Sequence, residues 1–155
     1  GQNKPFDKAN FSDKEGLKAA LKNIHEGDAF YFSYIYSKAL DKYLDANKFN
    51  PNNAELNAKI GDCYLNTGKY KKAQKHLEKS IELDKEIDSY FIYKLGQTYQ
   101  LNNKFDTAMK FYKTAQTKAS KLNPNALDDI SKKTKECEYG KTLITAPVKQ
   151  TRLPN

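Results

Sequence analysis

The chain has 155 residues, 38% hydrophobic and 30% charged, which is enough to bury one core and is the size of a single domain. No apolar run approaches the roughly 18 residues that a membrane-spanning helix needs. The net charge of +8 is carried almost wholly by lysine, with Arg152 the only arginine; nucleic-acid readers lean on arginine's planar fork, so the lysines, interleaved with Asp and Glu, read as a solubilising surface and no nucleic-acid partner is expected.

Residues 1–12 have no periodicity and contain Pro5; they are predicted as an extended segment. Ser12-Asp13-Lys14-Glu15 fits a capping box, with Ser12 as the cap and Glu15 reaching back. It opens a helix over 13–33, long enough for its start to close off one end of the fold. A second helix covers 36–48 and is stopped by Phe49-Asn50-Pro51. Helices over 53–67, 70–83, 87–102 and 105–122 follow, with tight turns at Asn66-Thr67-Gly68 and Asn102-Asn103-Lys104. Asn123-Pro124-Asn125 ends this run. A seventh helix spans 126–144, with Leu127, Ile130, Cys137 and Leu143 expected on the face that docks on the preceding hairpin. Residues 145–155 contain Pro147 and Pro154 and read as an extended tail or a linker cut short.

Laid over itself, the chain repeats. Ile60-Gly61-Asp62-Cys63-Tyr64 matches Leu95-Gly96-Gln97-Thr98-Tyr99. In the same register Gly68 meets Asn103, Tyr70 meets Phe105, Ala73 meets Ala108 and Leu77 meets Tyr112. Backwards, Gly27 falls on Gly61, Phe30 on Tyr64, Tyr36 on Tyr70, Ala39 on Ala73, Tyr43 on Leu77 and Ala46 on Ser80, with Pro51 closing that unit. A large apolar residue before Gly, an aromatic three further on, then Ala, an aromatic, Ala and a closing Pro resembles the tetratricopeptide-repeat (TPR) family. The departures are Glu26 before the first Gly, and Lys85 and Ser120 in place of the closing Pro.

The resemblance implies an all-α fold: a right-handed superhelix of three helical hairpins with a C-terminal capping helix, about seven helices in all. The domain would cover 13–144, with units at about 20–53, 54–88 and 89–122 and the cap over 126–144. Sterics give the pattern its reason. Glycine inside a helix costs about 1 kcal/mol relative to alanine, so Gly27, Gly61 and Gly96 imply a close helix crossing. Ala39, Ala73 and Ala108 are expected to face them, with Phe30, Tyr64 and Tyr99 filling the space beside. One hairpin cannot cover its own apolar faces, so units must stack and the last must be capped.

No catalytic constellation is present. His25 and His76 lie on different units, and neither has a nucleophile nearby in sequence. Asp128 and Asp129 are adjacent on a helix and point apart. Cys63 and Cys137 have neither disulfide-framework nor zinc spacing, read as buried apolar thiols, and leave the redox compartment open. No metal, cofactor or enzymatic activity is expected.

In TPR proteins the first helix of each hairpin lines a concave groove. Carried over by position, the candidate partner-binding residues are Ile24, Asp28 and Tyr31 from the first unit, Glu55, Lys59, Asp62 and Asn66 from the second, and Tyr90, Tyr93, Lys94 and Gln97 from the third. Tyrosines among mixed charges suit an extended protein or peptide partner, and Tyr93→Ala is expected to weaken it while the fold stands. One TPR subset grips a terminal carboxylate with a basic and asparagine clamp; Ile24, Asp28 and Lys59 occupy its positions here, and only the lysine suits an anion.

The stretch 13–144 also resembles the N-terminal TPR module of Bacteroidetes envelope proteins that continue into propeller-like and OmpA-like domains. Leu21-Lys22-Asn23-Ile24 with Gly27-Asp28, Lys135 to Lys141, and Pro147-Val148 carry this likeness. It implies a periplasmic, outer-membrane-associated scaffold of the type IX secretion kind, with envelope-complex proteins as partners. The alternatives are a module for self-assembly or for docking onto further domains of its own chain, or a cytoplasmic TPR adaptor.

Overall fold

Short polar side chains and left-handed turns divide the described residues into seven α-helices. The structure is a computed structural model and describes residues 1–118 and 122–145. The expected closing position Ser120 and the tail beyond Thr145, with Pro147, Val148 and Arg152, lie outside the described residues. The helices are α1 (Lys14–Phe32), α2 (Tyr36–Phe49), α3 (Ala54–Asn66), α4 (Tyr70–Leu83), α5 (Ser89–Leu101), α6 (Phe105–Thr117) and α7 (Pro124–Thr145). No strand occurs among the described residues.

The cap of α1 is Asp13 and not Ser12: its Oδ1 accepts from Gly16 N at 2.8 Å. A carboxylate outdoes a hydroxyl there because it also meets the positive end of the helix dipole. Asn53 and Asp88 cap α3 and α5 in the same way, accepting from Leu56 N and Tyr90 N. The sixth helix, expected to reach residue 122, ends at Thr117.

Each helix pairs with the next: α1 with α2, α3 with α4 and α5 with α6 as hairpins, while α2–α3, α4–α5 and α6–α7 join the hairpins into a stack. The first helices also touch across units, α3 against α5. The second helices bury one stripe with constant spacing: Ala39, Tyr43 and Ala46 in α2, Ala73, Leu77 and Ser80 in α4, Ala108, Tyr112 and Ala115 in α6. That spacing keeps three residues on one helical face.

The glycines sit where the expected close crossing occurs, but their main neighbours are not the alanines. A Cβ on Gly27 would lie 2.6 Å from the Tyr43 ring, one on Gly61 2.5 Å from Leu77 Cγ, and one on Gly96 2.6 Å from the Tyr112 ring. Ala73 contributes its carbonyl, 3.2 Å from the same point above Gly61. The glycine therefore makes room for the large residue one turn beyond the alanine. Tyr64 and Tyr99 stand beside this crossing, their rings against His76 at 5.6 Å and Phe111 at 5.4 Å.

Three hairpin turns need a residue with positive φ, and they fall at matching positions of the repeat: Tyr34 (φ 61°), Gly68 (φ 79°) and Asn103 (φ 60°). Gly and Asn adopt this conformation at little cost, whereas a bulky aromatic is strained in it.

Residues 1–11 are docked rather than loose. Lys4 O accepts from Asn50 Nδ2 at 2.8 Å, Lys4 N donates to Asn52 O, and Asn3 Oδ1 accepts from Ala54 N at the start of α3. Phe11 packs on Phe49 with ring centroids 4.8 Å apart. At the other end, α7 buries Ile130 and Cys137, and Gly140 lies against the Phe105 ring. Leu143, expected on this face, is 61% exposed. It stands six residues from Cys137, roughly 240° around the helix.

Both cysteines are free and buried; burial pushes the Cys63 thiol up to about 12 and Cys137 up to about 11, so both stay protonated. His76 Nδ1 lies 3.0 Å from Asn57 Oδ1, and burial pushes its ring down to about 4. It is a neutral packing group between α3 and α4.

Gly61→Ala tests the crossing. The alanine gains about 1 kcal/mol of helix propensity, yet overpacking against Leu77 costs about 1–3 kcal/mol. The expected outcome in urea unfolding is a net loss. In the Leu77→Ala background, where the Cβ has space, Gly61→Ala is expected to stabilise instead. Additive effects in this double-mutant cycle would remove the steric explanation.

Candidate functional site

The inner face is built by the first helix of each hairpin, α1, α3 and α5. Helical spacing brings Ile24, Asp28 and Tyr31 to one side of α1, Glu55, Lys59, Asp62 and Asn66 to one side of α3, and Tyr90, Tyr93, Lys94 and Gln97 to one side of α5. Ten of the eleven candidates fall into three linked groups, and Ile24 packs on the apolar core beside them.

At the centre is Asp62, 1% exposed. Its Oδ2 accepts from Tyr31 Oη at 2.5 Å and from Tyr90 Oη at 3.1 Å. Its Oδ1 accepts from Asn66 Nδ2 at 3.0 Å and lies 3.7 Å from Lys94 Nζ. One carboxylate of the middle hairpin thus ties together the hairpins before and after it. Burial, followed by the charge of Asp62, raises both Tyr31 and Tyr90 well above the usual phenol range, so both hydroxyls remain donors.

The second group joins α1 to α3. Asp28 Oδ1 accepts from Tyr43 Oη at 2.5 Å and from Lys59 Nζ at 3.0 Å, and Lys59 also lies 3.2 Å from Glu55. The third joins α5 to the capping helix. Tyr93 donates to Asp129 of α7 and accepts from Gln97 Nε2 at 2.7 Å.

Asp62 and Tyr93 are therefore buttresses behind the face rather than groups offered to a partner. Tyr93 is only 7% exposed, so Tyr93→Ala reports on the anchorage of α7 and not on binding. The two lysines are also committed. Lys59 is held by two carboxylates, and Lys94 sits by Asp62 with Tyr90 and Tyr93 rings at 5.2 and 5.7 Å. A clamp for a terminal carboxylate needs uncompensated cations, and this face has none at Lys59 or Lys94.

Two adjoining cavities open on the face. The larger, about 710 Å³, includes Ile24, Asp28, Glu55, Lys59 and the α4–α5 loop residues Asp84 and Glu86, and is closed on one side by Asn3, Pro5 and Phe6 of the docked N-terminal segment. The smaller, about 380 Å³, is walled by Tyr31, Phe32, Tyr34, Tyr36, Tyr90 and Phe91. Glu55, Lys59, Asp88 and Phe91 line both.

Phe32, Tyr34 and Asp88 are among the contributors that position within the repeat did not pick out. Phe32 and Tyr34 are among the most exposed large side chains, at 69% and 78%. A signal for Tyr34 was present, since the overlay puts it opposite Gly68 and Asn103. No group of three or more His, Cys, Asp or Glu side chains able to hold a metal occurs among the described residues, and no described helix is long and apolar enough to cross a membrane.

Comparison with known proteins agrees with this architecture. The family model described as "Tetratricopeptide repeat" matches residues 54–87 and 90–125. The chain is 33% identical over 117 residues to the BBSome complex member BBS4 of Bos taurus, an alignment covering 71% of this chain and 22% of that protein. The chain thus spans about a fifth of that curated relative. Among solved structures, the TPR domain of Arabidopsis OM64 superposes with a TM-score of 0.68 at 19% identity, covering 78% of this chain and 98% of that one. The second TPR domain of human RPAP3, in complex with the HSP70 peptide SGPTIEEVD, superposes with a TM-score of 0.65 at 24% identity, covering 76% and 96%.

Asp62→Ala would strand two phenols and a lysine in a buried setting. Removing one partner of such a cluster costs about 3–5 kcal/mol, whereas Tyr31→Phe removes one charge-assisted bond worth about 1.5–3 kcal/mol. Urea unfolding is expected to rank the two in that order. Near-equal losses would mean that Asp62 does not join the units as described.

Proposed function

We propose, on the premise that residues 54–87 and 90–125 are tetratricopeptide repeats in a chain that folds as TPR domains do, that the protein is a non-catalytic scaffold module holding a protein or peptide partner on its inner face. One observation carries the reading: the two cavities share Glu55, Lys59, Asp88 and Phe91 and so form one continuous groove over α1, α3 and α5. Such a groove suits an extended segment. Aromatic walls give contact area at low entropic cost, and the charges at the junction set register. A similar fold in human RPAP3 holds a nine-residue HSP70 peptide, which supports a peptide-sized occupant here.

For its setting we propose what the likeness of Leu21–Asp28 and Lys135–Lys141 implies: the module belongs to a larger periplasmic, outer-membrane-associated protein and serves an envelope or secretion complex. The full gene product in its source cell is expected in the envelope fraction. Recovery only from the cytosol would favour the cytoplasmic-adaptor alternative.

The groove itself is tested by selecting binders from displayed random dodecapeptides. Phe32→Ala changes an exposed ring, so thermal stability is expected to hold within about 0.5 kcal/mol. Affinity for the selected peptides is expected to fall about tenfold, as for an aromatic anchor. Peptides that bind the variant as tightly as the parent would place the binding surface elsewhere.

A further inference from the structure

From the aromatic walls and the sign of the charge around them, and resting on the groove reading above, we infer that the groove takes a peptide segment bearing lysine or arginine, whose cation lodges among Tyr31, Phe32, Tyr34 and Tyr90 beside Glu55 and Asp88. The occupant is thus the opposite in charge of the acidic peptide held by RPAP3.

Three observations meet at this place. The first is charge. The chain as a whole is +8, yet the larger cavity presents Asp28, Glu55, Asp84, Glu86 and Asp88 against the single cation Lys59. Lys59 answers Asp28 and Glu55; among the described ion pairs, none answers Asp84, Glu86 or Asp88. A basic molecule with an acidic groove draws in cationic segments and turns away acidic ones, because field lines concentrate in a concave low-dielectric wall.

The second is ring chemistry. The smaller cavity is mostly tyrosine and phenylalanine, with Glu55, Asp88 and the already paired Lys59 at its boundary, and an aromatic face attracts a cation that it partly desolvates. The chain's own lysines already lie beside two of these rings. Lys59 Nζ is 5.9 Å from the Phe32 ring centre, and Lys94 Nζ is 5.2 Å from that of Tyr90. The rings are arranged so that an ammonium group is a comfortable neighbour.

The third is Tyr34. It holds a left-handed conformation at φ 61°, where the other two hairpins have Gly68 and Asn103, and its ring stands 78% exposed on the rim of the smaller cavity. The ring lies near Tyr36, 6.3 Å between centroids. Strain of this kind is kept where the surroundings use it. The contact with Tyr36 covers little of a ring so exposed, whereas a partner's side chain entering the cavity would be covered by it.

The test uses fluorescence anisotropy with two capped, labelled decapeptides, one alternating lysine with serine and one alternating glutamate with serine. The parent protein is expected to bind the lysine peptide, more weakly as salt is raised, and to bind the glutamate peptide at least about tenfold less well. The double substitution E55Q/D88N keeps side-chain size and the α5 cap; it is expected to weaken the lysine peptide about tenfold or more. Tyr34→Gly is expected to raise the melting temperature by about 2–4 °C while lowering affinity for the lysine peptide. That opposition separates a binding role from a structural one.

Preference for the glutamate peptide, with sensitivity to Phe32→Ala, would overturn the inference and leave the groove reading standing. Lysine-peptide binding indifferent to E55Q/D88N and to Tyr34→Gly would also overturn it, as would self-association in sedimentation that E55Q/D88N abolishes. Binding of any peptide unaffected by Phe32→Ala would instead sink the groove itself.

Discussion

At Gly27, Gly61 and Gly96 the two helices of each hairpin approach so closely that a Cβ would overlap Tyr43, Leu77 or Tyr112. A side chain at any of these positions would push the pair apart. The separation within the hairpin fixes how much apolar face each unit leaves for the next, and hence how the inner helices α1, α3 and α5 are set side by side. The large residue that fills the space left by glycine is fully buried in all three units. Helix propensity is given up at three points for one packing geometry, because tertiary contact outweighs a local preference of about 1 kcal/mol.

Once the inner helices are aligned, polar chemistry locks them. Asp62 from the middle unit accepts from Tyr31 of the unit before and Tyr90 of the unit after. A buried carboxylate is costly unless its lone pairs are satisfied, and here two phenols, an amide and a lysine do so. The same pattern recurs at the edges, where Asp28 receives Tyr43 and Lys59 and Asp129 receives Tyr93. Tyrosines that a groove reading assigns to a partner are thereby spent in part on the protein itself. What stays available is the rim: Phe32, Tyr34, Glu55 and Asp88.

The fold was legible because it rests on spacing. Glycine, alanine and aromatic positions recur with the unit, and the helix bounds follow from caps and turns within a residue or two over most of the chain. Three features were hidden for identifiable reasons. Ser12 and Asp13 are both good caps, and the choice depends on the dipole as well as on the local motif. The N-terminal segment lacks periodicity because it is held by single hydrogen bonds to Asn50, Asn52 and Ala54 and by Phe11 on Phe49, none of which repeats. Leu143 looked buried because it is apolar, but the docking stripe of α7 runs through Ile130, Cys137 and Gly140. Within the candidate site, position in the repeat found the inner face yet could not tell buttress from surface. Asp62 and Asn66 are one turn apart on that face, and only the neighbouring hairpins bury the first and expose the second.

A repeat protein supplies its own control, since each unit shows what the fold requires at a given position. Where all three agree, as at the glycines, packing sets the residue. Where one departs at a cost, the fold cannot be the reason. At the left-handed turn, Gly68 and Asn103 meet the requirement cheaply, and Tyr34 meets it under strain. The same contrast holds for charge: lysine dominates the surface as a whole, while the loop between α4 and α5 brings Asp84, Glu86 and Asp88 to the groove. Both departures lie along one groove, on cavities that share Glu55, Asp88 and Phe91. Stacking accounts for neither, and a cationic occupant accounts for both.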